Sequence, residues 1–132
     1  MLTKGRNTTE FADGRTLVLP VKAGAKIFDG ALVALDATGY AIAGDVAVGL
    51  LAAGRAEEFV DNTSGADGDV TVRVRRGVFK WANDTVGPVT SEDLLKPCYI
   101  LDDETVTITA TGASVAGTII GIEDGEVIVE TL

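Results

Sequence analysis

The sequence predicts an all-β chain: a small β-barrel or β-sandwich with one short helix and a flexible N-terminal arm. Three observations carry that prediction. Sixteen glycines punctuate 132 residues, and the segments between them are rich in Val, Ile and Thr, side chains that pack well on a pleated surface. Apolar residues alternate with polar ones more often than they recur at helical spacing. The length is one domain's worth, and 46% apolar residues supply a core that needs neither disulfide nor metal. The expected organisation is an arm over residues 1–15 and a single β domain over residues 16–132.

The arm is polar, with Lys4, Arg6 and Arg15 set among Glu10 and Asp13, and offers only Leu2 and Phe11 for burial. Residues 16–21, Thr-Leu-Val-Leu-Pro-Val, read as an edge strand, because Pro20 cannot donate to a ladder on both sides. A meander follows: a strand at 31–35, a turn at 36–39 in which Gly39 supplies a positive φ, and a strand at 40–43. The run 46–52 is apolar on both faces and reads as a strand or corner buried inside a closed barrel or sandwich. Residues 61–69 are a loop by composition.

The clearest strand is 70–75, where Val70, Val72 and Val74 alternate with Thr71, Arg73 and Arg75, so valines share one face and arginines the other. Arg76-Gly77 breaks the alternation, and a bulge there would return Val78, Phe79 and Trp81 to the core. Thr90 with Glu92 and Asp93 is a helix-start signature that Pro97 terminates, giving a turn or two near residues 91–96. Strands are expected at 98–101, 105–109 and 117–122. A hairpin turn at Glu123-Asp124-Gly125 then leads to a closing strand at 126–130. The predicted core comprises Leu32, Val33, Leu35, Val72, Val74, Phe79, Trp81, Ile100, Ile108, Ile120 and Val127.

Composition removes much chemistry. The chain has no histidine and one cysteine, so Ser-His-Asp, Cys-His and His- or Cys-metal constellations cannot be assembled within it. Cys98 sits among apolar neighbours and reads as packing in a reducing compartment. Phosphate-loop, dinucleotide and nucleophile-elbow motifs are absent from the sequence. The cluster Asp102-Asp103-Glu104 reads as a soluble turn. Asp61, Asp67 and Asp69 offer oxygen ligands for calcium but lack the twelve-residue calcium-loop pattern. A carboxylate glycosidase would want aromatic platforms, and one Trp, two Tyr and four Phe are few enough for a core to absorb. No cofactor or metal is therefore expected.

No apolar run follows the early basic residues, and none approaches a membrane span, so neither a secretory signal nor a membrane partner is expected. The triplets Asn7-Thr8-Thr9, Asn62-Thr63-Ser64 and Asn83-Asp84-Thr85 carry little meaning without secretion. The net charge is −9. From Glu92 onward there are nine acidic residues and one basic, net −8, leaving net −1 for residues 1–91. Such a balance argues against nucleic acid, whose phosphates require dense Lys and Arg. Arg73, Arg75, Arg76 and Lys80 form a local basic stripe, either a solvated strand face or a docking stripe for an acidic protein surface.

Residues 21–36, Val-Lys-Ala-Gly-Ala-Lys-Ile-Phe-Asp-Gly-Ala-Leu-Val-Ala-Leu-Asp, with Thr38-Gly39-Tyr40-Ala41, resemble the opening of tailed-phage capsid cement, or head decoration, proteins. Residues 62–79 and the segments 98–106 and 117–121 resemble that family's second and third blocks, so the resemblance spans roughly residues 20–130. It implies a non-enzymatic prophage or phage structural protein, often trimeric, that is made in the host cytoplasm, binds the major capsid protein on the head exterior and stabilises the shell. It implies no catalytic residues. Phe11 and Arg15 of the arm, with Arg73, Arg75 and Arg76 of the stripe, are the expected partner-binding residues. The alternatives are another virion component (tail, neck or baseplate) or a carboxylate- or metal-dependent enzyme.

Overall fold

The computed structural model describes residues 1–9, 11 and 14–132. The expected arm includes Glu10, Ala12 and Asp13, which lie outside the described residues; residues 1–9 and 11 are exposed and form neither strand nor helix. The rest is built of strands, and the all-β prediction holds.

Two sheets organise the molecule. The first contains β1 (Thr16–Pro20), β3 (Leu32–Leu35), β4 (Ala41–Ala43), β5 (Leu51–Ala56) and β7 (Thr71–Arg75), in the order β1-β7-β5-β3-β4. As Pro20 requires, β1 lies at the edge, pairing antiparallel with β7 from Thr16↔Arg75 to Pro20↔Thr71. The second sheet closes on itself. It comprises β8 (Gly77–Asn83), β9 (Pro97–Ile100), β10 (Thr105–Thr107), β11 (Val115–Glu123) and β12 (Glu126–Thr131), in the order β10-β8-β12-β11-β9. Closure removes the unpaired edges that a flat sheet would expose. A short ribbon of β2 (Lys26–Ile27) and β6 (Val60–Asp61) completes the set.

Side-chain alternation explains where the cores lie. In β7 the pattern is strict: Val72 and Val74 are fully buried while Thr71, Arg73 and Arg75 face outward. The barrel core gathers Trp81, Cys98, Ile100, Val106, Ile119 and Val127, among others. The open sheet has its own cluster, including Val21, Ile27, Val33, Val72 and Val74.

Several sequence expectations are corrected. The run 46–52 is not a buried strand: residues 46–50 form a loop with Val46 and Val48 exposed, and β5 begins only at Leu51, itself exposed. The buried Ser114 explains the loop, because its hydroxyl donates to the Ala47 carbonyl at 2.6 Å and accepts from the Leu50 N–H at 3.0 Å. These bonds occupy backbone groups that a strand would have paired. Ile120 is exposed and Ile119 buried, because the β11–β12 register shifts between Ile119 and Gly121; a one-residue slip exchanges the two faces. Val78 is also exposed, while Trp81 is buried and Phe79 half-buried, so the strand after Gly77 returns to the core one side chain later than expected. Leu35 and Ile108 are half-buried at the margins of the two cores.

The expected helix is a single 3-10 turn, Ser91–Asp93. The Asp93 carboxylate accepts the Thr90 N–H at 2.8 Å and the Asp93 N–H donates back to the Thr90 carbonyl at 2.9 Å. The turn ends at Leu94, whose ψ of 135° leaves the helical region, and Leu95 follows at φ 68°.

Gly54 has φ 138°, and a Cβ there would press well inside contact distance of the Arg75 carbonyl on the neighbouring strand. Only glycine satisfies both conditions. Gly54→Ala is expected to destabilise the fold by about 2 kcal/mol or more, read as a lowered denaturant midpoint with unchanged slope. A midpoint equal to wild type would show that the β5–β7 approach is not the constraint described.

Candidate interaction surface

Most of the residues that composition nominated for chemistry prove to be committed to the frame. In the 61–69 loop the three aspartates each accept a different backbone donor: Asp61 from Thr63 N–H at 2.9 Å, Asp67 from Ala23 N–H at 2.8 Å, and Asp69 from Ala66 N–H at 2.8 Å. Asn62, at the centre of this loop, is buried, and its side-chain amide donates to the carbonyls of Val21, Lys22 and Ala66. Asn83 exchanges two 2.9 Å bonds with the Val89 backbone, imitating a strand partner. Two of the three glycosylation-like triplets thus begin with structural asparagines. Among the described residues no group of three or more His, Cys, Asp or Glu is placed to hold a metal ion.

Cys98 is buried, and burial pushes its thiol up to about 12, so the thiolate is negligible at neutral pH. The Nε1–H of Trp81 is the one buried side-chain polar atom with no partner among the described residues, and it lies inside the barrel core. No helix of the described chain is long and apolar enough to cross a membrane.

The basic stripe is divided by its partners. Arg73 Nε lies 2.7 Å from Glu58 Oε2, Arg55 Nη2 lies 2.7 Å from Glu57, and Lys80 Nζ lies 2.8 Å from Glu123. Arg73 is thus partly neutralised within its own chain, and only part of the expected stripe is open to a partner. Arg75 and Arg76 turn elsewhere: with Gly14, Arg15, Phe79 and Leu132 they line a groove of about 630 Å³. Of the expected partner-binding residues the structure therefore brings together Arg15, Arg75 and Arg76. Arg73 stands apart from this groove, and Phe11 is fully exposed on the N-terminal segment.

Sequence reasoning missed an apolar groove. About 660 Å³ in volume, it is lined by Leu51, Leu95, Pro97, Tyr99, Val115 and Leu132 among others. Leu95 is 77% exposed in the left-handed region, a conformation that costs a leucine energy and marks a position worth functional attention. Nothing in the alternation signals this surface, because it is assembled from a loop, a turn, parts of four strands and the C-terminal residue.

Comparison with family models, with curated proteins and with solved structures finds no match for this chain.

The best-defined electrostatic site is structural. Asp36 opens the turn before Gly39, accepting from Thr38 N–H, Thr38 hydroxyl and Tyr40 N–H, and its Oδ2 lies 2.7 Å from Lys22 Nζ. The Lys22 ammonium foremost, and then the Thr38 hydroxyl, hold the Asp36 carboxyl well below the usual range. Because the folded state resists protonation at Asp36, its stabilisation is complete above the ordinary carboxylate range and is lost progressively as pH falls below it. Asp36→Asn should lower the melting temperature at neutral pH and should differ progressively less from wild type as the solution is acidified. A gap that persisted unchanged into strong acid would contradict this assignment.

Proposed function

We propose that the chain is a non-enzymatic decoration protein of a tailed-phage or prophage head, acting as a homo-oligomer, a trimer on the family's pattern, on the outside of the shell. Its partner is the major capsid protein, and its work is adhesion that stabilises the shell against internal pressure. The observation that carries this reading is the display of large apolar side chains on a hydrogen-bonded β frame. Phe11, Leu51, Leu95 and Leu132 are exposed while the loop aspartates, the buried asparagines and the thiol are committed to internal structure. Large exposed apolar surface is the usual mark of an interaction site. The resemblance over residues 20–130 supplies the class of partner.

An extended segment that adds its backbone to a sheet edge gains main-chain hydrogen bonds for affinity and side-chain anchors for specificity. Residues 1–15 suit that role, with Phe11 as the anchor, and Lys4 and Arg6 set this segment apart in a chain of net charge −9. A chain beginning at Thr16 should bind heads at least about tenfold more weakly than the full chain, the scale expected for loss of an aromatic anchor. Equal affinity of the two would remove the arm from the contact. Failure of the full chain to bind heads at all, or its binding to tails instead, would overturn the decoration reading.

A further inference from the structure

Two surfaces of this chain carry charge of opposite sign that is left uncompensated beside apolar side chains. The first is the groove lined by Arg75, Arg76 and Val78. Among the described residues neither Arg75 nor Arg76 has a carboxylate within ion-pair distance, although Arg55, Arg73 and Lys80 each have one. The second is an edge made by the turns around residues 28–31 and 102–104. There Phe28 and Phe59 meet with ring centroids 5.3 Å apart, 57% and 51% exposed. Asp29, Asp103 and Glu104 share a hollow of about 400 Å³ with Phe28. Among the described residues these three carboxylates have no ion-pair partner.

We infer that the two surfaces are the halves of one contact, in which the arginine groove of one copy receives the acidic, aromatic edge of a second copy of this chain. Guanidinium groups pair with carboxylates through two parallel hydrogen bonds and also stack on ring faces, so they match an edge that offers both. The chain already combines these two uses once: Arg55 lies 4.7 Å over the Phe79 ring while its Nη2 pairs with Glu57 at 2.7 Å. At net charge −9 copies repel one another at large, and a contact that sets the cations of one against the anions of the next is the arrangement that offsets this. Because the two surfaces differ, the contact closes either as a pair that makes it twice or as a ring. This inference rests on the homo-oligomeric part of the proposed function.

The test is sedimentation and light scattering of the full chain, without heads, at low and high salt. Wild type should associate at low salt and dissociate as salt rises. Arg75→Glu with Arg76→Glu, and separately Asp103→Lys with Glu104→Lys, should each weaken association at least about tenfold. The chain carrying all four reversals should recover it. An equimolar mixture of the two double variants gives an independent reading, since each then presents what the other's altered surface needs. A folded quadruple variant that stays monomeric overturns the inference, as does a mixture that fails to associate, or a wild type that remains at 13.6 kDa throughout. Loss of head binding in the arginine double variant with its self-association intact would place the shell in the groove, which also overturns it. Loss of head binding by wild type with its self-association intact would count against the decoration reading alone.

Discussion

The molecule depends on one strand that is buried from both sides. Within β3, Leu32 and Ala34 enter the barrel core while Val33 enters the core of the open sheet, and all three are essentially inaccessible to solvent. Successive side chains of a strand point to opposite faces, so a strand with apolar residues at consecutive positions can serve two cores at once. The open sheet and the closed barrel are thereby held through shared packing rather than a linker. The register of β3 against β5 shifts between Val33 and Ala34, and Gly54 lies opposite Val33 where the β5 backbone approaches Arg75 most closely. The irregularity sits where two layers must be joined, which is the usual place for a bulge that redirects a strand.

That arrangement accounts for what the sequence made legible. The alternation in residues 70–75, the edge position forced by Pro20, the Gly39 turn and the hairpin at Glu123-Asp124-Gly125 are local, and local chemistry decides them. What escaped was decided at long range. Residues 46–50 look like a buried strand, yet Ser114, more than sixty positions away, fixes them as a loop. Ile119 and Ile120 are interchangeable to any pattern, and only the register against β12 selects Ile119 for the core. Asn62 looked like a surface residue of a polar loop and is instead the buried tie that holds that loop to the backbone at Val21 and Lys22.

The candidate site was legible in its residue types and not in its grouping. The strand pattern placed Arg73 and Arg75 on one outward face, but it could not show that Glu58 claims Arg73 or that Arg75 and Arg76 share a groove with Arg15 and the chain's last residue. Nor could it show Leu95 held at positive φ beside Leu51 and Val115. Both surfaces arise where loops and termini converge on a rigid frame, the usual location of binding residues.

Such a frame suits the adhesive role proposed above. Among the described residues its buried polar side chains are hydrogen-bonded except for Trp81 Nε1–H, while large apolar side chains such as Phe11, Leu95 and Leu132 stand exposed. The most direct measurement is the temperature at which filled heads from the same genome release their DNA, taken with and without the purified chain. The account predicts saturable binding to the heads and an upward shift in release temperature that tracks occupancy. Heads that take up the chain yet release DNA at an unchanged temperature, or heads that leave it in solution, would contradict the claim that it stabilises the shell by adhesion.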